Sequence, residues 1–210
     1  LLASIVRDID IVTNVEINTE PAKFADSGLA ISNVVTIDGS TASPDAVIEA
    51  AGVNSLVIAS GDAGTINTRT IDMNDGQVLL GGGGILDVVG CDSGSMAVVN
   101  AADDGAIRGV DIRVTGGSPE GIVLDEDARL LVSDVTITTT SGSAPGIVVS
   151  GTSDLTILES SIQSIGGSSP AVVVTDDGQV TIRDSSIITG GGGSYGVLAS
   201  DNSRITITNS

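Results

Sequence analysis

From about residue 97 onward, short aliphatic runs return on a 25-residue period without a gap. A small residue followed by aliphatics reads Gly121-Ile122-Val123-Leu124, Gly146-Ile147-Val148-Val149, Ala171-Val172-Val173-Val174 and Gly196-Val197-Leu198-Ala199. A second run keeps the same spacing at Leu130-Leu131-Val132, Leu155-Thr156-Ile157, Val180-Thr181-Ile182 and Ile205-Thr206-Ile207. The third is Val135-Thr136-Ile137, Ser160-Ser161-Ile162 and Ser185-Ser186-Ile187, while Ala97-Val98-Val99 and Val110-Asp111-Ile112 extend the register upstream. Three such runs per period, in the solenoid range, describe one coil of a three-sided parallel β-helix. The usual hand of parallel crossovers makes it right-handed. The expected fold is therefore all-β.

Strand side chains alternate between faces, so residues 130 and 132 point inward and 131 outward. The occupants agree: Leu130, Leu155, Val180 and Ile205 are apolar, and Ile112, Ile137, Ile162 and Ile187 form an internal ladder. Between the second and third strands a two-residue corner ends on Gly109, Asp134, Glu159, Asp184 or Asn209. Gly, Asn and Asp tolerate positive φ, so the corner is expected to be left-handed, with Glu159 the poorest fit.

Upstream the period weakens. Residues 43–52 read as one short helix, with Ser43 as cap, Pro44 at the first helical position and Gly52 at the end. It would cover the open end of the bore. Val53–Ala59, Ile66–Ile71, Gln77–Leu80 and Ile85–Val89 are the strand candidates that follow. Residues 1–42, with Ile9-Asp10-Ile11 and Val35-Thr36-Ile37, are either a cap or irregular first coils, and residues 43–210 the β-helix. The final Ile205-to-Ser210 stretch stops where a third strand is due, so the expectation is a piece of a longer polypeptide.

Composition narrows the partners. With 27 acidic and 8 basic residues the net charge is −19, whereas nucleic acid and anionic membranes call for Lys/Arg clusters. No apolar run approaches the ~18 residues that cross a bilayer, so membrane insertion by this segment is not expected. Only Phe24 and Tyr195 are aromatic, which suits a narrow bore filled by Val, Ile and Leu. Cys91 is the sole cysteine and there is no His; a lone Cys of this kind acts as a small hydrophobe.

The 25-residue coils, with Asp75-Gly76-Gln77-Val78-Leu79-Leu80-Gly81-Gly82-Gly83-Gly84 upstream, resemble bacterial surface β-helix proteins, above all autotransporter passengers and related adhesins. The likeness covers roughly residues 45–210. It implies export, display at the outer surface of the cell, and attachment to the rest of a longer chain.

Acidic residues gather in the turn between the first and second strands. Asp125, Asp127, Asp176, Asp177 and Asp201 are the candidate calcium ligands, since coils ~4.8 Å apart could stack the oxygens that calcium needs. The competing reading is a solvated acidic edge that opposes aggregation. Apart from calcium no cofactor is expected. A catalytic reading would recruit the same carboxylates with Arg129 or Arg204, as polysaccharide lyases and glycosidases do on this fold. Short, similar turns and the scarcity of aromatics argue against a sugar cleft, so no catalytic residue is assigned. The middle of the first strand is apolar as well: Val98, Val123, Val148, Val173 and Leu198 make an outward row, ~20 Å long, on which a partner could sit. The rival explanation is the preference of β-branched residues for strands.

The expectation is thus a non-catalytic, secreted or cell-surface module, structural and adhesive, presenting a binding face to a protein or glycan. The alternatives are a polysaccharide lyase or glycoside hydrolase, and a subunit that stacks on copies of itself through its open edges into a sheath or filament.

Overall fold

The computed structural model describes residues 15–16, 23–24, 31–68, 70–88, 99–101, 103–115, 120–140, 142, 144–167, 169–190 and 192–210. Three parallel sheets of 8, 6 and 6 strands form the sides of a prism. Face one holds Ile71–Asp72, Val99–Asn100, Ile122–Leu124, Ile147–Val149, Val172–Val174 and Val197–Ala199. Face two runs from Asn33–Ile37 and Ser55–Ser60 through Val78–Gly82, Gly105–Arg108, Arg129–Ser133, Asp154–Leu158 and Gln179–Arg183 to Arg204–Thr208. Face three holds Ile66–Thr68, Ile85–Val88, Asp111–Val114, Thr136–Thr139, Ser161–Ser164 and Ser186–Thr189. Each coil visits the faces in turn, giving the expected parallel β-helix. Among the described residues, Val15–Glu16 and Lys23–Phe24 pair with each other, antiparallel.

The register follows the sequence period where the period is clear. Ile122, Ile147, Val172 and Val197 occupy one column, as do Leu130, Leu155, Val180 and Ile205. Upstream, Val57 faces Leu79 and Leu79 faces Ile107, one step shorter and the next longer than the regular coil. The bore is filled by one continuous aliphatic cluster in which Ile112, Ile137 and Ile162 are fully buried. The small residue before face one has a steric reason. A Cβ on Gly146 would lie 2.7 Å from the Ile162 Cγ2 and 2.7 Å from the Ala171 carbonyl oxygen, so the isoleucine ladder and the next coil leave no room for it.

Helix α1 (Pro44–Ala51) packs against strands of all three faces at the start of the prism. Its buried residues Pro44, Ile48 and Ala51 close the end of the bore. Ser43 makes no side-chain cap bond; its carbonyl accepts from Val47 N–H at 3.2 Å, and Pro44 sets the first turn. Gly52 ends the helix at φ 79°. The last carbonyls, orphaned at any helix terminus, find partners one coil away. Gln77 Nε2 donates to Ile48 O at 3.0 Å, and Asn74 Nδ2 to Glu49 O at 3.2 Å.

Two expectations are corrected. Ile66–Ile71 is not one strand: it splits into Ile66–Thr68 on face three and Ile71–Asp72 on face one. At the bend the Thr68 hydroxyl donates to Thr70 O at 3.0 Å. On face one the 25-residue register also fails upstream, because Asn100 pairs with Val123. Asn33–Ile37 pairs in parallel with Ser55–Ala59 and so forms the first rung of face two. Ile9-Asp10-Ile11 and Cys91 lie outside the described residues.

Candidate functional site

The acidic turn between faces one and two is a backbone feature first. Its left-handed position is occupied by Asn54, Gly76, Asp104, Glu126, Gly151, Asp176 and Asp201, with φ between 54° and 65°. Asp and Asn are the residues with a Cβ that best accept this conformation, so two of the candidate calcium ligands, Asp176 and Asp201, answer a steric demand. Asp125, Asp127, Asp176, Asp177 and Asp201 lie on the solvent side of this turn, all five exposed. Their column is interrupted, because the coil between Asp127 and Asp176 presents Ser150, Gly151 and Thr152. That places the two acidic groups two rungs, about 9.6 Å, apart.

The carboxylates serve neighbouring hydroxyls. Ser150 Oγ donates to Asp125 Oδ1 at 2.8 Å, Thr152 Oγ1 donates to Asp127, and Ser200 Oγ donates to Asp201 Oδ2 at 3.0 Å. Among the described residues no group of three or more His, Cys, Asp or Glu side chains comes close enough to hold a metal ion. Arg129 reaches back one coil, its Nη1 3.4 Å from Asp104 Oδ1, and Arg204 is exposed at the outer edge of face two.

The aliphatic row on face one is present over four rungs. Val123, Val148, Val173 and Leu198 stack in register, the first three half-buried and Leu198 40% exposed. Val98 lies outside the described residues. With Asn100 as the rung beside Val123, the described row spans about 14 Å.

The corner between faces two and three holds a groove that sequence reasoning did not single out as a site. It is open to solvent and about 660 Å³ in volume. Asp134, Glu159 and Asp184 stand along it on successive coils, with Thr136, Ser161 and Ser186 beside them. Asp134, Glu159, Asp184 and Asn209 all have φ between 48° and 54°, as the corner pattern predicted. The same column was visible in the sequence, but there it spoke only of backbone conformation. Which carboxylates share a groove depends on how wide the corner opens.

Behind that groove runs a serine ladder. The Ser160 hydroxyl accepts from Val135 N–H at 3.1 Å and donates to Leu158 O at 2.6 Å. Ser185 does the same with Ser160 N–H at 3.1 Å and Arg183 O at 2.7 Å, and Ser210 with Ser185 N–H at 3.1 Å and Thr208 O at 3.0 Å. Buried amides at a sheet corner need partners, and these hydroxyls supply them coil to coil.

Among the described residues no helix is long and apolar enough to cross a membrane. No curated protein and no solved structure matches the chain. A family model described as the right handed beta helix region matches residues 25–210, so with the three stacked faces in hand, the chain belongs to the right-handed β-helix family.

Proposed function

We propose that this chain is a non-catalytic structural and adhesive module of a secreted or cell-surface protein, a stiff stalk that offers a long side to a partner. The supporting observation is where the polar turn side chains go. Ser150, Thr152, Ser160, Ser185 and Ser210 bond to the neighbouring coil, which ties each coil to the next and suits load-bearing. The aliphatic row of face one and the hydroxyl-lined corner groove are the two surfaces available for contact. The resemblance to autotransporter passengers points the same way, toward display outside the cell on a longer polypeptide. Antibodies against the chain should label intact cells of the source organism as strongly as permeabilised ones. Labelling only after permeabilisation would end this reading.

The family includes pectate lyase-like enzymes as well as non-enzymes, and one observation favours a polysaccharide-active alternative. Asp134, Glu159 and Asp184 line one groove on rungs ~4.8 Å apart, near the ~5–5.5 Å carboxyl separation of retaining glycosidases. Incubation with acidic and neutral polysaccharides separates the two readings. A stalk binds without producing new reducing ends or unsaturated sugars. An enzyme produces them, and Glu159→Gln abolishes the activity.

A further inference from the structure

Face one carries two apolar rows on its outer side. Val123, Val148, Val173 and Leu198 form the first, at the middle of the strands. Pro145, Pro170 and Tyr195 form the second, three residues earlier on each coil. Pro145 and Pro170 are half-buried, while Tyr195 is 62% and Leu198 40% exposed. Little rises between the rows, because Gly146, Ala171 and Gly196 are small and Ile147 and Val172 are buried in the bore. Three residues of strand set the rows at most about 10 Å apart, and the rungs repeat every ~4.8 Å along them.

Charge of one sign flanks this surface. Asp125, Asp127, Asp176, Asp177 and Asp201 stand on the turn that ends the strands, and Glu120 stands at the opposite edge. No Lys or Arg occurs in 120–127, 145–152, 170–177 or 195–202. A second copy of the chain carries the same −19, and like charges repel. The complementary partner is apolar along its middle and basic along its flank.

We infer that the outer side of face one docks a basic amphipathic helix of a partner protein. It lies along the prism axis, its apolar stripe between the two rows and its Lys/Arg flank against the Asp125-to-Asp201 edge. Spacing selects the helix. Helical turns are 5.4 Å apart, close to the ~4.8 Å rungs, whereas alternate residues of an extended strand are ~6.7 Å apart. Along the row, about 14 Å long, the helix drifts from the rungs by only about 2 Å. Its diameter of about 10–12 Å spans both rows, with anchors at i, i+3 or i+4, and i+7. The strands carrying Val148 and Val173 are paired on both sides, which leaves no edge there for an added strand. The inference rests on the adhesive reading only in taking this side as a contact surface.

The test uses the full chain and a fluorescein-labelled helical peptide of about 14 residues, with Leu at i, i+4, i+7 and i+11 between Lys flanks. Fluorescence anisotropy should show saturable one-to-one binding that weakens about tenfold between low salt and 0.5 M NaCl. Val148→Thr with Val173→Thr keeps the β-branched shape of the strands and should weaken binding about fivefold or more. Asp125→Asn with Asp176→Asn keeps acceptors for Ser150 and Thr175, and should both weaken binding and flatten its salt dependence. Thr156→Ser on face two should leave the affinity unchanged. Absence of saturable binding, or equal affinity for a scrambled peptide of the same composition, overturns the inference. So does equal affinity of the Val148/Val173 variant and the parent, or binding of a peptide with Glu in place of Lys. Those failures leave display at the cell surface standing, since antibody labelling reads it separately. Peptide binding without labelling of intact cells removes display alone.

Discussion

A left-handed backbone costs a residue with a Cβ about 1–2 kcal/mol, and this chain adopts that conformation at two corners of the regular coil. Most of these positions hold Asp, Asn or Gly, but Glu159 sits at φ 48°, where its side chain offers no local compensation. Glu159→Asn is expected to raise stability by up to about 1 kcal/mol, read as a shift in the urea midpoint with an unchanged slope. The serine ladder argues the other way at the neighbouring position. Ser185→Ala removes the acceptor of Ser160 N–H and leaves a buried amide unpaired, a loss of about 1–3 kcal/mol. Faster exchange of the Ser160 amide would report the site of the damage.

At the scale of elements, α1 is held by its neighbours more than by its own caps. Gln77 is fully buried, and its amide ties Ile48 O at 3.0 Å, Ser55 Oγ at 2.7 Å and Asn74 N–H at 3.2 Å together. Replacing it with a similarly sized apolar side chain, Gln77→Met, removes the acceptor of Asn74 N–H and leaves Ile48 O with only the longer Asn74 Nδ2 bond at 3.4 Å and Ser55 Oγ with only its bond to Gly52 O. The expected cost is about 1–3 kcal/mol, with faster amide exchange in 44–51 and none in 154–208. The approach to the helix is ordered by Asp38, whose carboxylate accepts from Ser40 N–H at 2.8 Å, Ser40 Oγ at 2.6 Å and Thr41 Oγ1 at 3.3 Å. The Ser40 bonds, above all the hydroxyl's, hold its carboxyl below the ordinary value of 3.8. A lowered carboxyl stabilises the fold above that value, and this contribution disappears as the pH falls through the lowered one. Asp38→Asn should therefore flatten the acid limb of a stability–pH curve.

For the whole molecule, a net charge of −19 on 210 residues pushes the coils apart, and salt screens such repulsion within a Debye length of ~10 Å at 0.1 M. The melting temperature should rise between low salt and 0.5 M NaCl. Calcium gives the sharper comparison. Because Asp125 and Asp127 are separated from Asp176, Asp177 and Asp201 by the Ser150-Gly151-Thr152 turn, millimolar CaCl₂ should raise the melting temperature no more than MgCl₂ at equal ionic strength. A calcium-specific rise would mean that the edge gathers its carboxylates around the ion.

The sequence by itself determined the prism: three aliphatic runs in every period can be buried together only by stacking, and each coil then repeats the burial of the last. It also marked the corner at Asp134, Glu159 and Asp184, because a positive φ restricts residue type and so leaves a trace in the sequence. The serine ladder lay in plain sight at Ser160 and Ser185, but the spacing alone did not reveal that each hydroxyl bonds to the adjacent coil. What only the tertiary structure decided was what stands beside what across coils of unequal length. The pairing of Val123 with Asn100 and the groove at the second corner both depend on where loops of varying length bring the chain back. A repeat fixes neighbours only while its period holds; where it slips, packing chooses the register.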